Sequence, residues 1–378
     1  MVQPWRVRAT GFGAGLPPLG LDDCRGMPQG PGMDEILRRV HGRAGRVSLN
    51  RPRALNALTT PMCLQITEAL VAWREDPAVA LVILDHSGER GFCAGGDIRA
   101  VAASGAGDGV EAARFFAAEY RLNELLFRYP KPVVAVMDGV TMGGGVGLSA
   151  PARWRIATER TVWAMPEADI GLFPDVGAGW MLARLAAGAG AWLALTGARL
   201  KAADCLALGL ATHVVASDRC EALKDALATG GEIAAVLAGF AEPPGPAPIR
   251  ERLPAIAQAF SQDRVEAILA RLAADESDWA AVQQDLLARK CPTTLKVGLR
   301  LIREGARRAS FAAEMEVEYR VALRMARRPD FAEGVRAVLI DKDGAPRWSP
   351  ARLDEVTDAM LDEIFAPLPA DQAWTPLP

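Results

Sequence analysis

The chain has 378 residues, 50% of them hydrophobic and 24% charged, which is the composition of a soluble protein with one large domain or two. The net charge of −3 gives no reason to expect nucleic acid or an anionic membrane surface as a partner. No apolar run approaches the roughly 20 residues that span a bilayer. The six cysteines show no close pair or metal-ligand spacing, and the three histidines are scattered. We therefore expect reduced thiols in a cytoplasmic protein, and neither a metal site nor a Ser-His-Asp site.

The N-terminal segment 1–32 is rich in glycine and proline and shows no periodicity. This pattern is typical of a disordered tail, or of a start codon assigned too early. Arg6 and Arg8, with no acid before Asp22, keep an organelle-targeting peptide as an alternative.

Regular structure is predicted from Arg46 onward. Residues 47–49 alternate as a half-buried strand, and the stretch 56–61 is typical of a helix start, with a threonine cap and Pro61 in the first turn. Residues 81–84 form the next apolar strand, and a glycine turn at residues 91–97 follows it. A helix is predicted from about Glu111 to Arg128.

The central stretch repeats the same arrangement of a strand followed by glycines. Residues 133–137 are apolar β-formers, and Gly143, Gly144 and Gly145 follow them at the start of a segment of small residues. The first N–H groups of a helix have no partner within the helix, so such a turn can bind a phosphate or the oxygen of a reacting carbonyl. A dinucleotide-binding G-x-G-x-x-A turn, with Glu167 as its acidic residue, and glycines used only for close packing are the alternatives.

Two glycine turns favour a pair of N–H donors aimed at one oxygen, as acyl transfer requires. The sequence of strand, strand and helix recurs at similar intervals along the chain, which predicts an α/β fold of stacked ββα turns rather than a flat alternating sheet. We expect this core to cover residues 33–225, with residues 1–32 as the tail.

Residues 226–378 are assigned to a mainly helical C-terminal region, and a Pro/Gly cluster at residues 243–248 marks a loop between the core and the helices of this region. These helices are predicted at 264–274, 279–289, 293–304 and 311–327. Basic residues are frequent here, Arg300 and Arg308 among them. They indicate either a salt-bridged, solvated helical face or contacts with ligand phosphates.

Three motifs, TMGGGVGLS (141–149), MPEADIGLFPDVG (165–177) and DFAEGVRAVLIDKD (330–343), resemble the enoyl-CoA hydratase/isomerase (crotonase) superfamily. The resemblance extends over about residues 34–356 and implies a ββα spiral with the C-terminal region completing an acyl-CoA site. It is strongest for the branch that hydrolyses short branched 3-hydroxyacyl-CoA thioesters in valine breakdown. Coenzyme A would be part of the substrate, with no separate cofactor, and a homo-oligomer is possible because the superfamily often forms trimers.

Motif matching gives the site residues that the resemblance implies. The N–H groups of Gly96 and Gly144 would bind the thioester oxygen. Four residues would contact coenzyme A, with the Ala94 carbonyl at the adenine: Ala54, Ala94, Asp97 and Ile98.

Three acidic residues are candidates for the reacting and substrate-binding carboxylates. Glu167 follows Pro166 among apolar residues, where burial would raise its pKa and make it a better base or nucleophile. Asp175 is either a turn residue or a partner for the substrate hydroxyl or the attacking water. Glu119 matches another acidic position of the hydrolases, but it could equally lie on a solvated helix face.

One position departs from the hydratases of the superfamily. They place a second glutamate three residues after the oxyanion glycine, where this chain has Gly147. Adding water across a double bond usually requires two carboxylates, whereas thioester hydrolysis can proceed with one that attacks directly or activates water. Hydrolysis is therefore favoured, and a lyase or isomerase using Glu119 or Asp175 as the second acid, or a non-catalytic acyl-CoA-binding protein, are the alternatives.

Overall fold

The computed structural model describes residues 34–186 and 188–378, so the expectation for residues 1–32 lies outside the described residues. The strands are β1 (Ile36–His41), β2 (Ala44–Leu49), β3 (Leu81–His86), β4 (Gly91–Cys93), β5 (Val133–Met137), β6 (Val140–Met142), β7 (Trp154–Ala157), β8 (Val162–Ala164) and β9 (His213–Val214).

The helices of the first part of the chain are α1 (Thr60–Arg74), α2 (Ile98–Ala106), α3 (Val110–Phe127), α4 (Gly144–Ser149), α5 (Ala178–Leu182), α6 (Ala189–Thr196), α7 (Ala202–Ala207), α8 (Cys220–Thr229) and α9 (Ile233–Phe240). Those of the C-terminal part are α10 (Ile249–Phe260), α11 (Val265–Ala273), α12 (Asp278–Arg289), α13 (Pro292–Gly305), α14 (Phe311–Ala326), α15 (Pro329–Val335) and α16 (Asp358–Phe365). A π-helical turn, Arg336–Ile340, continues α15.

The strands form two separate sheets. The larger has the order β1-β2-β3-β5-β7-β9 and the smaller the order β4-β6-β8. Only the β1–β2 pair is antiparallel among these pairings. From β3 onward, consecutive strands alternate between the two sheets, so each ββα turn adds one strand to each. The predicted spiral of stacked ββα turns is confirmed.

The strand β5 shows why this sequence forms a buried central strand. All five of its residues are buried, and it pairs with β3 on one side and β7 on the other. Its side chains alternate between two cores: Val133, Ala135 and Met137 face the main cluster, and Val134 and Val136 face a smaller one. A parallel strand covered on both faces needs a continuous apolar run, which residues 133–137 provide.

The helix α1 begins as the sequence predicts. The Thr59 hydroxyl accepts a hydrogen bond from the N–H of Met62, and Pro61 lies in the first turn. The residues from Met62 to Trp73 that face inward join the main core, although Leu64 is only partly buried.

The long helix α3 lies at the centre of the molecule and carries one of the candidate carboxylates. It packs against α1, α2 and α4 and also against α14 from the C-terminal region. Because helices cover it on several sides, nearly the whole of its second half is buried, charged residues included. The C-terminal helices therefore complete the surroundings of α3. No helix in residues 34–186 and 188–378 is long and apolar enough to cross a membrane.

Candidate acyl-transfer site

Two glycine turns meet at one edge of the smaller sheet. Gly95 and Gly96 follow β4, and Gly143 and Gly144 follow β6, the parallel strand beside it. The carboxyl ends of parallel neighbours lie at the same edge, so the turns are adjacent. A Cβ on Gly95 would lie 3.8 Å from the nitrogen of Gly144. Gly95 has a φ of +113° and Gly143 a φ of +48°, a region that favours glycine.

The two predicted oxyanion donors are at this junction. Gly96 leads into α2, and Gly144 is the first residue of α4. In the turns and loops of the described part of the chain, neither the N–H of Gly96 nor that of Gly144 donates to a main-chain oxygen. Leu58 holds the first turn in place, since its N–H donates to the Gly95 oxygen and its oxygen accepts from the N–H of Asp97, both at 2.8 Å.

Two carboxylates lie directly over the second turn. A Cβ on Gly143 would lie 2.9 Å from Oε1 of Glu167, and a Cβ on Gly144 would collide with Oε1 of Glu119. The glycines are therefore required for the close approach of these side chains to the backbone. Glu167 and Glu119 thus reach the same helix N-terminus.

Glu167 comes from a short 3₁₀ turn, Glu167–Asp169, that follows β8. Its side chain is 6% exposed, and its Oε2 has no hydrogen-bond partner among the described residues. It is not the surface glutamate that its loop position could have indicated.

Asp175 lies in the turn that follows this segment and is 5% exposed. The hydroxyl of Tyr120, on α3, donates a 2.6 Å hydrogen bond to its Oδ2. The next residues have left-handed backbones, Val176 at φ +53° and Gly177 at φ +89°. The Glu318 carboxylate, on α14, holds this turn by accepting hydrogen bonds from the N–H groups of Gly177 and Gly179, at 2.7 and 3.0 Å.

The three acidic side chains share a setting that disfavours charge. Burial raises the pKa of Glu167 well above its ordinary value, and the nearby Asp175 charge adds to this. Burial also raises the pKa of Glu119 well above its ordinary value, with contributions from Asp175 and Glu167. Burial raises the pKa of Asp175 to about 6, although the Tyr120 hydroxyl acts to lower it. Since like charges this close and this buried cannot all ionise readily, the site can hold both a protonated acid and a carboxylate base.

Glu119 is the residue whose surroundings the sequence left most open. It is 2% exposed, so the solvated helix face considered for it is excluded. Its Oε1 has no hydrogen-bond partner within the described ranges. A buried carboxyl group without a partner is costly unless it is neutral or meets a ligand.

The residues expected to contact coenzyme A lie together beside the first glycine turn. Ala54 ends the 3₁₀ turn Pro52–Ala54, and the N–H of Ala94 donates to the Leu55 oxygen at 3.0 Å. Ile98 is the first residue of α2. The Asp97 carboxylate accepts a 2.9 Å hydrogen bond from the Arg51 guanidinium, so it orders this loop as well as bordering the site.

The basic residues of the C-terminal helices form many ion pairs. The Arg300 guanidinium lies 2.8 Å from a Glu304 oxygen and 2.7 Å from an Asp362 oxygen, and the Arg308 guanidinium pairs with Glu304 and Glu314. These contacts fit the salt-bridged helical face, and the alternative contacts with ligand phosphates stay a prediction.

Sequence reasoning missed two residues that hold the site together, Tyr120 and Glu318. Tyr120 follows Glu119 directly, and a phenol next to a candidate carboxylate is a signal for a hydrogen-bonded pair. Glu318 lies at helical spacing from Met315 and Ala322 on the buried face of α14, where an acid has to find hydrogen-bond donors.

Comparisons with known proteins agree in family and differ in activity. The profile of the family described as "Enoyl-CoA hydratase/isomerase" matches residues 44–365. Proteins named "3-hydroxyisobutyryl-CoA hydrolase, mitochondrial" are 44% identical in Gallus gallus, over 88% of this chain and 89% of theirs, and 41% identical in Homo sapiens, over 89% of each.

Two solved structures share the fold over nearly their whole length. A carnitinyl-CoA dehydratase from Mycobacterium thermoresistibile is 40% identical with a TM-score of 0.86, over 90% of this chain and 99% of that one. An enoyl-CoA hydratase from Rhodobacter sphaeroides 2.4.1 is 38% identical with a TM-score of 0.84, over 90% and 100%. Hydrolase and hydratase chemistry must therefore be separated on the residues of the site.

Proposed function

The chain belongs to the enoyl-CoA hydratase/isomerase family, and on that premise we propose that it hydrolyses a short branched 3-hydroxyacyl-CoA thioester. The substrate that fits the proposal is 3-hydroxyisobutyryl-CoA, with 3-hydroxyisobutyrate and free coenzyme A as products, a step of valine breakdown. Proteins with this activity in their name align with the chain over nearly nine-tenths of its length.

The observation that carries the proposal is the position of Glu167 over the Gly143–Gly144 turn. One carboxylate oxygen approaches that turn, and the other has no partner among the described residues. If a thioester oxygen accepted hydrogen bonds from the N–H groups of Gly96 and Gly144, the carbonyl carbon would lie near the Glu167 carboxylate. Two such donors stabilise the negative charge that develops on the oxygen, and losing one costs about 100- to 1000-fold in rate.

Either of two routes then releases the thiol. In the first, ionised Glu167 attacks the carbonyl carbon, the carbon–sulfur bond breaks to give an acyl-glutamate anhydride and coenzyme A thiolate, and water hydrolyses the anhydride. In the second, Glu167 takes a proton from water as the water attacks. Burial raises the pKa of Glu119 and favours its protonated form, which can give a proton to the leaving sulfur.

Asp175 supports the choice of a hydroxylated acyl group. Its Oδ2 accepts a hydrogen bond from the Tyr120 hydroxyl, and its other oxygen can accept one from a substrate hydroxyl. A site built to bond a hydroxyl rejects analogues that lack it, because its polar groups are left unpaired. Asp175→Ala should therefore reduce activity on the 3-hydroxyacyl thioester much more than on its deoxy analogue.

A second candidate function, hydration or dehydration of an acyl-CoA, rests on Glu119. Gly147 supplies no acid, but Glu119 lies over the same turn as Glu167 and could act as the second carboxylate. The names of the two solved relatives describe such reactions.

A paired assay separates these candidates. The purified chain is given a panel of 3-hydroxyacyl-CoA thioesters while free thiol and the absorbance of conjugated enoyl thioester are both recorded. The proposal expects thiol release with no enoyl signal. Formation or loss of enoyl thioester without thiol release supports the second candidate, and no reaction with measurable binding indicates a non-catalytic acyl-CoA-binding protein.

The proposal needs coenzyme A only as part of the substrate. A homo-oligomer stays a prediction, as does the cytoplasmic location inferred from the cysteines, five of which (Cys63, Cys93, Cys205, Cys220 and Cys291) are free and buried. The names of the hydrolase relatives describe those proteins as mitochondrial.

A further inference from the structure

Asn123 is a fully buried amide with no visible use in the fold. It lies on α3 one turn after Glu119, and its side chain is 0% exposed. Neither its Oδ1 nor its Nδ2 has a hydrogen-bond partner among the described residues. An amide that loses water without gaining partners destabilises the folded chain, so it calls for an explanation.

The other buried amides among the described residues have hydrogen-bond partners. Asn56 accepts from the N–H of Arg51 and donates to the oxygens of Gly91 and Phe92, at 2.8 to 3.1 Å. Gln283 accepts from the indole N–H of Trp192 and donates to the Trp279 oxygen, at 2.8 and 3.3 Å. Amides that stabilise this fold are thus paired within it, and Asn123 differs from them.

The location of Asn123 connects it to the acyl-transfer site. A Cβ on Gly147 would lie 2.9 Å from Nδ2 of Asn123 and 2.6 Å from Cβ of Val176, the residue after Asp175. The amide therefore packs directly against Gly147, between α3, α4 and the turn that carries Asp175.

Three polar side chains of α3 line this one region. Glu119 meets Gly144, Asn123 meets Gly147 one turn further along α4, and Tyr120 between them donates to Asp175. A larger residue at position 147 would therefore collide with the Asn123 amide, whose donor and acceptor both lack partners among the described residues.

We propose that Asn123 is a specificity-determining residue that binds the hydroxyl group of the acyl chain, together with Asp175. A hydroxyl both donates and accepts, and the amide offers one group of each kind. The N–H of the Asn123 amide donates a hydrogen bond to the hydroxyl oxygen. The hydroxyl in turn donates a hydrogen bond to the Asp175 carboxylate or to the amide oxygen. This inference rests on the proposed function for the identity of the acyl group.

Binding of two unreactive ligands tests the inference apart from catalysis. The probes are the coenzyme A thioethers 3-hydroxy-2-methylpropyl-CoA and 2-methylpropyl-CoA, which lack the carbonyl and cannot be hydrolysed. Their Kd values are measured by calorimetry for the parent chain, for Asn123→Leu, and for Gln283→Met as a matched loss of a buried amide. Thermal midpoints are recorded without ligand.

We expect the parent to prefer the hydroxylated thioether and Asn123→Leu to lose about 10- to 100-fold of that preference, as for the removal of one or two hydrogen bonds to a bound group. The thermal midpoint of Asn123→Leu should not fall, because no bond within the fold is lost. Gln283→Met should lower the midpoint and keep the preference.

Each other outcome also decides the question. A parent chain that does not distinguish the two ligands overturns the inference, and so does an unchanged preference in Asn123→Leu. If the midpoint of that variant is also lowered, Asn123 is a structural amide paired with a buried water. If the leucine variant does not fold, Asn123→Ala is measured in its place. A parent chain that prefers the hydroxylated ligand but releases no thiol from thioesters contradicts the proposed function. In that case the role of Asn123 is decided by the ratio of the two Kd values in the parent and in Asn123→Leu.

Discussion

Replacing Asp175 with asparagine should stabilise the protein, and increasingly so as the pH rises. Burial raises the pKa of Asp175 from 3.8 to about 6, so the folded chain binds this proton more tightly than the unfolded chain does. For an acid whose pKa is raised by folding, the stability is greatest below the unfolded value and is lost as the pH rises through the folded value. The relevant window is therefore about pH 3.8 to about pH 6.

The size of the effect follows from the shift. One pKa unit corresponds to about 1.4 kcal/mol, so a rise from 3.8 to about 6 means that ionised Asp175 costs the fold about 3 kcal/mol above that window. Asparagine keeps an oxygen that can accept the Tyr120 hydroxyl and removes the charge. The variant should gain about 0.5 kcal/mol at pH 4 and about 3 kcal/mol at pH 8 relative to the parent.

Urea denaturation of parent and variant at both pH values measures this difference. Asp138→Asn is the control, because the Asp138 carboxylate accepts hydrogen bonds from Thr158 and Ser217 at 2.7 and 2.8 Å and should lose stability instead. An Asp175→Asn advantage that does not grow between pH 4 and pH 8 would show that folding does not raise the pKa of Asp175, as would a loss of stability at pH 8.

Three further substitutions address the donors and the supports of the site. Gly144→Pro removes an N–H and should abolish thiol release, and normal turnover in a folded variant would rule out the donor role. Tyr120→Phe removes a hydrogen-bond donor that lowers the pKa of Asp175, so the acidic limb of the kcat/KM pH profile should move to higher pH by about one unit. Tyr129→Phe should leave that limb in place, since the Tyr129 hydroxyl donates to the Leu70 oxygen. Glu318→Gln leaves one acceptor for two N–H groups and should reduce kcat/KM by about 10-fold, and an unchanged value would mean that the turn holds itself.

Much of the fold could be predicted from the sequence because its signals are local. The apolar run of β5, the Thr59 cap of α1 and the helical patterns between residues 264 and 327 depend on neighbours along the chain. The two glycine turns were visible for the same reason, since only glycine allows side chains to come so near the backbone.

The surroundings of the carboxylates depend on contacts between distant segments and could not be read locally. Glu119 lies in a helix whose charged residues are typical of a solvated face, but four other helices, α1, α2, α4 and α14, pack around that helix. Asp175 meets Tyr120 across 55 residues of chain. Such contacts depend on how distant segments pack together, and the periodicity of a single helix does not predict that packing.

Replacing Glu167 with glutamine shows whether this carboxylate acts on the thioester. Thiol release from 3-hydroxyisobutyryl-CoA is measured for the parent, for Glu167→Gln, and for Asp169→Asn, a similar change two positions along the chain whose carboxylate pairs with Lys290 at 2.5 Å. We expect Glu167→Gln to lower turnover by about 100-fold or more with little change in substrate binding, as for a group acting in the transition state, and Asp169→Asn to stay active. Full turnover in Glu167→Gln would mean that Glu167 does not act on the thioester.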